Sequence, residues 1–352
     1  MRFLLFLLFP FAGLYDLVTW VRNVLFDLRI LPSQKSEIPT ISVGNLRVGG
    51  TGKTPMVEYL IRLLKIDYSL ATLSRGYGRK TKGYLKAGSS SSASQIGDEP
   101  FQIYEKFGEE VGVYVSEKRV LGIEKIRENA QKPDLIILDD AFQHRYLTPD
   151  FSILLTTWQQ PFFRDYVLPV GRLRENRKGA KRADLVIVTK SPSRRSKQEE
   201  ENYIHQIRKY TQPNTSVFFA SLKYGVPKSL SDKSDFQKNV ILFTGLADPS
   251  SMIEYCQEKF TLLTSRHFPD HHEYTDRDFQ SLQELARSYS SENPVFLTTE
   301  KDGVKVKSLL PKGFLGEFPI FVLPIEAKLN PENEEELKNL IQRKIFGKST
   351  ER

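Results

Sequence analysis

Short apolar runs alternate with amphipathic stretches along most of the chain. The runs have the length and composition of buried strands, and they lie near Ala71 and at 41–43, 111–115, 134–138, 183–189, 215–225, 239–244, 294–299 and 318–323. Between them, apolar residues recur at helical spacing, as in residues 56–60. About nine strands that alternate with helices predict an α/β fold with parallel sheets covered on both faces.

The first 33 residues have a different pattern. The apolar run from Phe3 to Tyr15 is too short to span a bilayer as a helix, and Pro10 should break or kink it. Apolar and charged residues alternate after it, and Trp20 has the aromatic bulk that suits a lipid–water boundary. A signal peptide is disfavoured because no A-x-A cleavage site follows. The segment predicts an amphipathic helix lying on a membrane, and a helix that caps the core is the alternative.

Composition narrows the protein class. With 352 residues, of which 39% are hydrophobic and 27% charged, the chain is a folded protein of two domains or one large one. Its net charge of +8 favours an anionic partner, such as a nucleotide, a nucleic acid or an anionic membrane surface. The single cysteine, Cys256, excludes an internal disulfide and a Cys2His2 zinc site, which fits a reducing compartment.

A glycine-rich segment, GGTGKT, lies between the first apolar run and the helical stretch that follows it. Its glycines let backbone N–H groups point inward, and the helix N-terminus adds partial positive charge, so the segment predicts a phosphate-binding loop. The residues assigned to the ATP phosphates are Gly49, Gly50, Thr51, Gly52, Lys53 and Thr54. Lys53 would reach the β- and γ-phosphates, and the Thr54 hydroxyl would bind Mg²⁺. Arg47 replaces the first glycine of the standard motif, so this is a variant loop, and an ordinary glycine turn is the alternative.

Pairs of carboxylates occur at two further places. Four apolar residues lead into Asp139 and Asp140, the Walker B arrangement in which a core strand presents carboxylates to Mg²⁺. Adjacent buried aspartates without a cation would be costly, which favours a metal site. Asp98 and Glu99 follow Gly97 and precede a helical stretch. A carboxylate there can accept a proton or bind Mg²⁺, and the alternative is a helix cap with a first-turn acid.

Basic residues and histidines supply further candidates. Arg75 stands beside a glycine after a strand end, where it could bind an anionic group or be solvated in a plain turn. A basic cluster at 172–182 contains one acid and is either a solvated face or a phosphate-facing surface. Three of the five histidines lie within HFPDHHEYT: His267, His271 and His272. They could bind a metal, tune a catalytic carboxylate, or only form local hydrogen bonds.

Taken together, these motifs resemble those of the tetraacyldisaccharide 4′-kinases, the lipid A 4′-kinases of Gram-negative bacteria. The segments that carry the resemblance span nearly the whole chain: an apolar N-terminus, SVGNLRVGGTGKTP, LSRGYGRK, GDEP, LDDAFQHR, LPVGRLRE, FPDHHEYT and LTTEKDGVK. That family usually has a small residue where this chain has Arg47, and glycine is common at the position of Ala141.

The resemblance implies ATP-dependent phosphorylation of the 4′-hydroxyl of a tetraacylated glucosamine disaccharide 1-phosphate, which gives lipid IVA. It implies a P-loop NTPase-like, mostly parallel sheet with helices on both faces, a smaller α/β subdomain that closes on it, and an N-terminal membrane-associating helix. We place these parts at 34–190 for the kinase core, 191–352 for the second portion, some of which could pack back on the core, and 1–33 for the helix.

The partners implied by the resemblance are the lipid A disaccharide precursor and an anionic membrane surface, with no nucleic acid and no protein partner. The protein would bind peripherally to the cytoplasmic face of the inner membrane. Residue by residue, Asp98 corresponds to the catalytic base and His271 to its partner. The residues linked to the metal are Thr54, Glu99, Asp139 and Asp140. Further candidates for substrate or phosphate contacts are Arg75, Arg119, His144 and Arg172.

Two other classes of protein are open on the residues alone. A P-loop ATPase or GTPase that acts as a switch or metallochaperone often carries an NKxD motif, and residues 189–192 match it only at Lys190. A nucleic-acid-binding motor would need basic residues interleaved with aromatic ones along a groove. The basic cluster at 172–182 contains no aromatic residue, which disfavours that class.

Overall fold

The computed structural model describes residues 2–230, 235–270, 272–307, 309–310 and 317–347. The described α-helices are α1 (Arg2–Asp27), α2 (Lys53–Leu64), α3 (Ala93–Ile96), α4 (Asp98–Phe107), α5 (Arg119–Arg127), α6 (Lys197–Arg208), α7 (Ser250–Lys259), α8 (Asp276–Arg287), α9 (Glu300–Lys307) and α10 (Pro331–Ile341). The described strands are β1 (Gln34–Lys35), β2 (Thr40–Asn45), β3 (Leu70–Ser74), β4 (Leu85–Lys86), β5 (Gly112–Val115), β6 (Leu135–Asp139), β7 (Leu147–Thr148), β8 (Phe151–Thr157), β9 (Leu185–Thr189), β10 (Ser216–Phe219), β11 (Ser221–Tyr224), β12 (Lys228–Ser229), β13 (Asn239–Thr244), β14 (Thr261–His267), β15 (Val295–Thr299), β16 (Ile320–Leu323) and β17 (Ile325–Lys328).

The first lobe is built on an eight-stranded sheet with the order β10-β9-β8-β2-β6-β3-β5-β4. Its neighbouring strands are parallel except for β4, which pairs with β5 in the antiparallel sense. Strand β2 lies in the middle, and Val43 pairs with Asp139 of β6. Because both strands run in the same direction, the loop after β2 and the acids after β6 meet at the carboxyl edge of the sheet.

Alternating residues of these strands face opposite layers of helices. In β6, Leu135 and Ile137 pack in the cluster that contains α2, α4 and α10, whereas Ile136 and Leu138 pack with α5 on the other face. Burying one such side chain contributes about 1.5–3 kcal/mol, so a sheet covered on both faces supplies most of the stability of this lobe. The prediction of a mostly parallel α/β fold with helices on both faces is confirmed.

The second lobe is built on a five-stranded sheet with the order β12-β16-β15-β13-β14. Its neighbours are parallel except for β12 and β16. The antiparallel pair β11 and β17 carries the chain out of the first lobe and back again. Leu337 and Ile341 of α10 are then buried in the core of the first lobe.

The first lobe extends beyond residue 190, where the sequence pattern placed the end of the kinase core. Strand β10 pairs with β9 in the first sheet, and the buried side chains of α10 return to the same core. The sequence analysis allowed part of residues 191–352 to pack back on the core, but the apolar content of a strand alone does not reveal which sheet the strand joins.

Helix α1 continues through Pro10, so the expected break does not occur there. Its later turns are held against the first lobe by hydrogen bonds: Tyr15 Oη donates to Arg174 O, and Arg22 Nη2 donates to Gln143 O, both at 2.9 Å. From residue 7 onward, where the side chains of this helix are described, most of the large apolar ones are exposed, namely Leu7, Phe9, Phe11, Leu14, Leu17, Val18, Trp20 and Val21. Among the described helices, none combines the length and apolar character needed to cross a membrane.

Candidate active site

The glycine loop joins β2 to α2 at the carboxyl edge of the first sheet. Gly49 and Gly52 have φ values of 109° and 79°, a region that glycine adopts without the penalty a Cβ would bring. Helix α2 begins at Lys53, directly after Gly52. A Cβ placed on Gly49 or Gly50 would meet no atom within 4 Å, so the loop borders open space. The loop and the helix N-terminus thus have the form of an anion-binding site.

Neighbouring strands fix the loop at Thr51. Asn45 Nδ2 donates to Thr51 Oγ1 at 2.6 Å, and Thr189 Oγ1 of β9 donates to Thr51 O at 2.8 Å. Thr51 is buried, whereas Thr54, the second residue of α2, is partly accessible. These bonds fix the backbone of the glycine loop against β2 and β9.

The variant residue Arg47 is part of the scaffold beside the loop. Its Nε lies 2.8 Å from Asp165 Oδ2. On either side of it, Val48 N donates to Arg172 O at 2.8 Å, and Arg174 N donates to Leu46 O at 2.7 Å. The segment LPVGRLRE is thereby held next to the glycine loop, and the side chain of Arg172 is exposed there.

The two adjacent aspartates have different surroundings. Asp140, which has a φ of 47°, accepts from Arg174 Nη1 at 3.0 Å through both carboxylate oxygens. Lys53 Nζ lies 3.7 Å from Asp140 Oδ1. Asp139 is 6% exposed, and its Oδ1 has no hydrogen-bond partner among the described residues. A buried carboxylate oxygen without a partner fits a site for a cation.

The charges of the site separate the pKa values of the two aspartates. Burial, together with the charges of Asp140 and Glu99, raises the pKa of Asp139 to about 7, although Lys53 acts in the opposite direction. Burial also acts to raise the pKa of Asp140, but Lys53 and Arg174 outweigh it, and this pKa is lowered. Among the described residues, no three His, Cys, Asp or Glu side chains converge as a metal cage.

We predict that Asp139→Asn stabilises the metal-free protein at pH 8. The pKa of Asp139 is about 7 in the folded state and 3.8 ordinarily, so the unfolded state loses its proton first and stability falls as the pH rises between these values. Asparagine removes this loss. The variant should melt roughly 5 °C above the wild type at pH 8 in EDTA, and the difference should shrink at pH 5. Differential scanning calorimetry at both pH values measures it.

Asp140→Asn is the matched control for this measurement. The pKa of Asp140 is lowered, because Lys53 and Arg174 outweigh the effect of burial, so the charged form of this residue stabilises the fold at pH 8. We therefore expect Asp140→Asn to melt below the wild type at pH 8. A lower melting temperature in both variants would show that Asp139 is compensated without a cation.

Helix α4 places Asp98 and Glu99 in its first turn. Gly97, which directly precedes this helix, has a φ of 97°. A Cβ at this position would lie 3.1 Å from the backbone of Gly76 in the loop after β3, so the start of α4 packs closely on that loop. Lys305 Nζ lies 2.7 Å from Asp98 Oδ2, and Lys301 Nζ lies 3.0 Å from Glu99 Oε1. The two acids therefore face the second lobe, and the charge of Glu99 also acts on Asp139 at the end of β6.

Three of the basic candidates, Arg75, Arg119 and His144, form one group beside the aspartates. Arg119 is 2% exposed and donates to Ser116 O at 2.7 Å and to Asp139 O at 3.1 Å. It therefore supports the backbone under the acids. Burial and the charges of Arg119, Arg22 and Arg75 lower the pKa of His144 to about 4, so its imidazole is neutral at pH 7. Arg75 is exposed at the edge of this group, where an anionic substrate group can reach it.

Comparison with known proteins identifies the family. The sequence model described as "Tetraacyldisaccharide-1-P 4'-kinase" matches residues 4–345. The chain belongs to the tetraacyldisaccharide 4′-kinase family. A tetraacyldisaccharide 4′-kinase of Flavobacterium psychrophilum is 42% identical over 332 residues, which cover 93% of each protein. That of Cytophaga hutchinsonii is 38% identical over 351 residues, 99% of this chain and 98% of the relative.

A solved structure of the same family has the same fold. LpxK from Aquifex aeolicus, described as an "apo" form in complex with ATP, superposes with a TM-score of 0.74 at 32% identity. The match covers 97% of this chain and 100% of that one. These matches confirm, over nearly the whole chain, the resemblance to tetraacyldisaccharide 4′-kinases that the motifs indicated.

Within this kinase fold, the structure brings most of the predicted site residues to one edge of the first sheet. His271, the predicted partner of Asp98, lies outside the described residues, and its role stays a prediction. Its neighbour His272 packs against Phe268 with ring centroids 4.7 Å apart, and its Nε2 lies 3.0 Å from Asp278 Oδ2. His272 is therefore part of the local structure of its loop.

The sequence reasoning gave no role to several residues that shape this kinase site. Arg174 holds Asp140, and Lys301 and Lys305 contact the acids of α4. Glu175, which is 3% exposed, accepts from Arg182 at 2.6 Å and Asn23 at 2.7 Å, linking the basic segment to α1. These residues lie in LPVGRLRE and LTTEKDGVK, so the motifs indicated the segments but not the contacts.

Proposed function

We propose that the protein transfers the γ-phosphoryl group of ATP to the 4′-hydroxyl of a tetraacylated glucosamine disaccharide 1-phosphate and so forms lipid IVA. The observation that carries this proposal is the meeting of three elements at one sheet edge. Lys53 begins α2 beside Asp140, Asp139 ends β6, and Asp98 and Glu99 begin α4. Such a set can bind a polyphosphate, hold its metal and accept a proton from a hydroxyl.

The proposed reaction assigns one task to each group. The glycine loop and Lys53 bind the β- and γ-phosphates and neutralise their charge. Asp98 accepts the proton of the 4′-hydroxyl as its oxygen bonds to the γ-phosphorus, while the bond from that phosphorus to the ADP oxygen breaks. His271 would orient or stabilise Asp98 in this step.

The candidates to hold Mg²⁺ are Thr54, Glu99, Asp139 and Asp140, of which one or two carboxylates would bind the ion together with the ATP phosphates. When bound with ATP, the ion neutralises charge that develops on the transferred phosphoryl group. Among the described residues, Asp139 Oδ1 is a buried carboxylate oxygen without a hydrogen-bond partner, and such a cation would compensate its charge. Arg174 competes for Asp140 from the other side, which favours Asp139 as the closer ligand.

We further propose that α1 docks the kinase on the cytoplasmic face of the inner membrane. The acyl chains of the substrate leave a bilayer at a cost of about 0.8 kcal/mol per CH₂, so the enzyme must approach the lipid surface. Helix α1 presents a row of exposed apolar side chains, including Leu14 and Val18, while its Tyr15 and Arg22 remain attached to the lobe that contains the site. One side of α1 thus packs on the first lobe, as expected of a helix that caps the core. Its other side is exposed, as docking on a membrane would require.

Placing two charges on the exposed side of α1 should weaken membrane binding. Each of Leu14 and Val18 would contribute roughly 1.5–3 kcal/mol when buried in lipid, so Leu14→Asp with Val18→Asp should lower the vesicle-bound fraction by at least about tenfold. Sedimentation with vesicles that contain anionic lipid measures this fraction. Ile66→Asp with Val226→Asp is the control, because these residues are 85% and 80% exposed elsewhere. Equal binding of all three proteins would exclude α1 as the docking element.

Transfer of label from [γ-³²P]ATP tests the proposed reaction directly. The acceptor is a tetraacylated disaccharide 1-phosphate in mixed micelles, and the expected product is a bisphosphorylated lipid with the label at the 4′ position. Hydrolysis of ATP without labelled lipid would favour an ATPase switch, and hydrolysis stimulated by nucleic acid would favour a motor. Either result would overturn the kinase proposal.

A further inference from the structure

Two lysines on one face of α9 contact the first turn of α4. Lys301 and Lys305 are four residues apart, which places them one above the other on a helix. Lys305 Nζ lies 2.7 Å from Asp98 Oδ2, and Lys301 Nζ lies 3.0 Å from Glu99 Oε1. The lysine side chains are 11% and 18% exposed, so both ion pairs are largely shielded from water. Each lysine of the second lobe is thus matched to one acid of the first.

The same two lysines also contact the loop that follows β14. Lys305 Nζ donates to His272 O at 3.3 Å, and Lys301 Nζ lies 3.6 Å from Asp270 Oδ1. Helix α9 therefore contacts two separate parts of the chain, the start of α4 and the loop residues Asp270 and His272. Holding the two lobes together would not require the same lysines to contact both the start of α4 and the loop after β14.

The charges of this cluster are mutually dependent. Lys301 Nζ lies between two carboxylates, 3.0 Å from Glu99 Oε1 and 3.6 Å from Asp270 Oδ1, so its charge is balanced by both. Removing one partner of a shielded ion pair leaves the other charge uncompensated, and its side chain then moves toward water. Loss of Lys305 would remove the ammonium group 2.7 Å from Asp98 Oδ2 and so weaken the contacts that fix this carboxylate.

We propose that Lys305 and Lys301 are positioning residues, which fix the carboxylates of Asp98 and Glu99 for phosphoryl transfer when the second lobe rests on the first. This inference rests on the proposed function, since it gives these acids their part in the reaction. A displacement of about 1 Å from the reactive geometry can lower a rate by roughly 10²-fold. The effect belongs in kcat, because neither lysine contacts the glycine loop that binds ATP.

The structure provides a matched ion pair between the same two helices. Lys106, in the last turn of α4, lies 2.6 Å from Glu300 Oε2, at the first residue of α9. This pair joins the lobes as the other two do, but it does not contact Asp98 or Glu99. Lys106 keeps its contact with Glu58 at 2.8 Å when Glu300 is neutralised. Glu300→Gln therefore removes an interlobe ion pair and leaves the positions of the acids unchanged.

The test compares Lys305→Met, Lys305→Arg and Glu300→Gln with the wild type in the labelled-lipid assay. We expect Lys305→Met to lower kcat by roughly 10–100-fold, with KM for MgATP within about threefold of the wild type. Lys305→Arg should recover at least part of kcat because it restores the cation, and Glu300→Gln should keep kcat within about threefold. Thermal melting and ATP binding by titration calorimetry confirm that each variant is folded.

The outcomes separate this inference from the kinase proposal. Equal kcat values in Lys305→Met and Glu300→Gln, a loss confined to KM, or no recovery in Lys305→Arg would overturn the positioning role. In each of these cases the wild type still forms labelled lipid. Failure of the wild type to form labelled lipid would instead overturn the proposed function.

Discussion

Replacing Asp98 by alanine is expected to lower turnover by roughly 10²–10⁴-fold, the usual contribution of a general base. The carboxylate lies in the first turn of α4, beside Glu99, whose charge acts on Asp139 at the end of β6. Alanine leaves the helix intact but removes the acceptor for the proton of the sugar hydroxyl. The initial rate of labelled-lipid formation, at saturating MgATP and disaccharide, measures the effect.

Glu105→Ala is the matched control for the Asp98 variant. Glu105 is an exposed acid on the same helix, and the described structure gives it no contact with the site carboxylates. Its turnover should stay within about twofold of the wild type, as is usual for surface substitutions. KM for MgATP should change little in Asp98→Ala, because the glycine loop is unaltered. Near-normal turnover of Asp98→Ala would exclude this carboxylate as the base.

Much of the fold follows from local patterns in the sequence. The run 135–138 is apolar at every position because parallel strands are buried on both faces, so such a strand can be predicted from the sequence alone. The strand–glycine–helix order around Gly52 likewise depends on neighbouring residues only. Local patterns of this kind were sufficient for the class of fold and for the position of the phosphate loop.

Arrangements that depend on distant parts of the chain were not accessible in this way. The predicted run at 215–225 is divided between β10 in the first sheet and β11 in the pair that links the lobes. Strand β14 is absent from the predicted set, because it is an edge strand with partly exposed side chains and no continuous apolar run. The set also omits β8, although its run at 151–155 has the composition of a central strand.

The residues of the candidate site likewise fall into those that local patterns indicate and those whose contacts depend on distant parts of the chain. Asp139 and the glycine loop could be placed together from the sequence, because parallel strands present their carboxyl ends to one edge. The basic residues that contact the acids could not be predicted from the sequence. Lys305 is separated from Asp98 by almost three-fifths of the chain, and a lysine in a charged helix is usually solvated, so the sequence gives no sign of this contact. The contact of Arg174 with Asp140 was not predictable either, because Arg174 lies within a run of basic residues.

Replacing Lys53 by methionine is expected to lower kcat by roughly 10²–10³-fold, the cost of removing one preorganised charge that acts on the transition state. Lys53 is the first residue of α2, where its ammonium group adds to the positive end of the helix. Methionine keeps the length of the side chain and the packing of the turn. The same variant should also bind MgATP more weakly, because the ground-state phosphates lose a charged partner.

Lys65→Met controls for loss of a lysine near the same helix. Lys65 follows the end of α2 and pairs with Glu110 at the surface, and such exposed pairs contribute only about 0–1 kcal/mol to stability. We expect Lys65→Met to keep wild-type kcat. Loss of Lys53 also removes a cation 3.7 Å from Asp140, so a melting curve must show that the variant is folded at the assay temperature. If a folded Lys53→Met protein keeps kcat within about threefold of the wild type, the glycine loop does not bind the transferred phosphate, and the phosphate-binding role of this edge of the sheet is wrong.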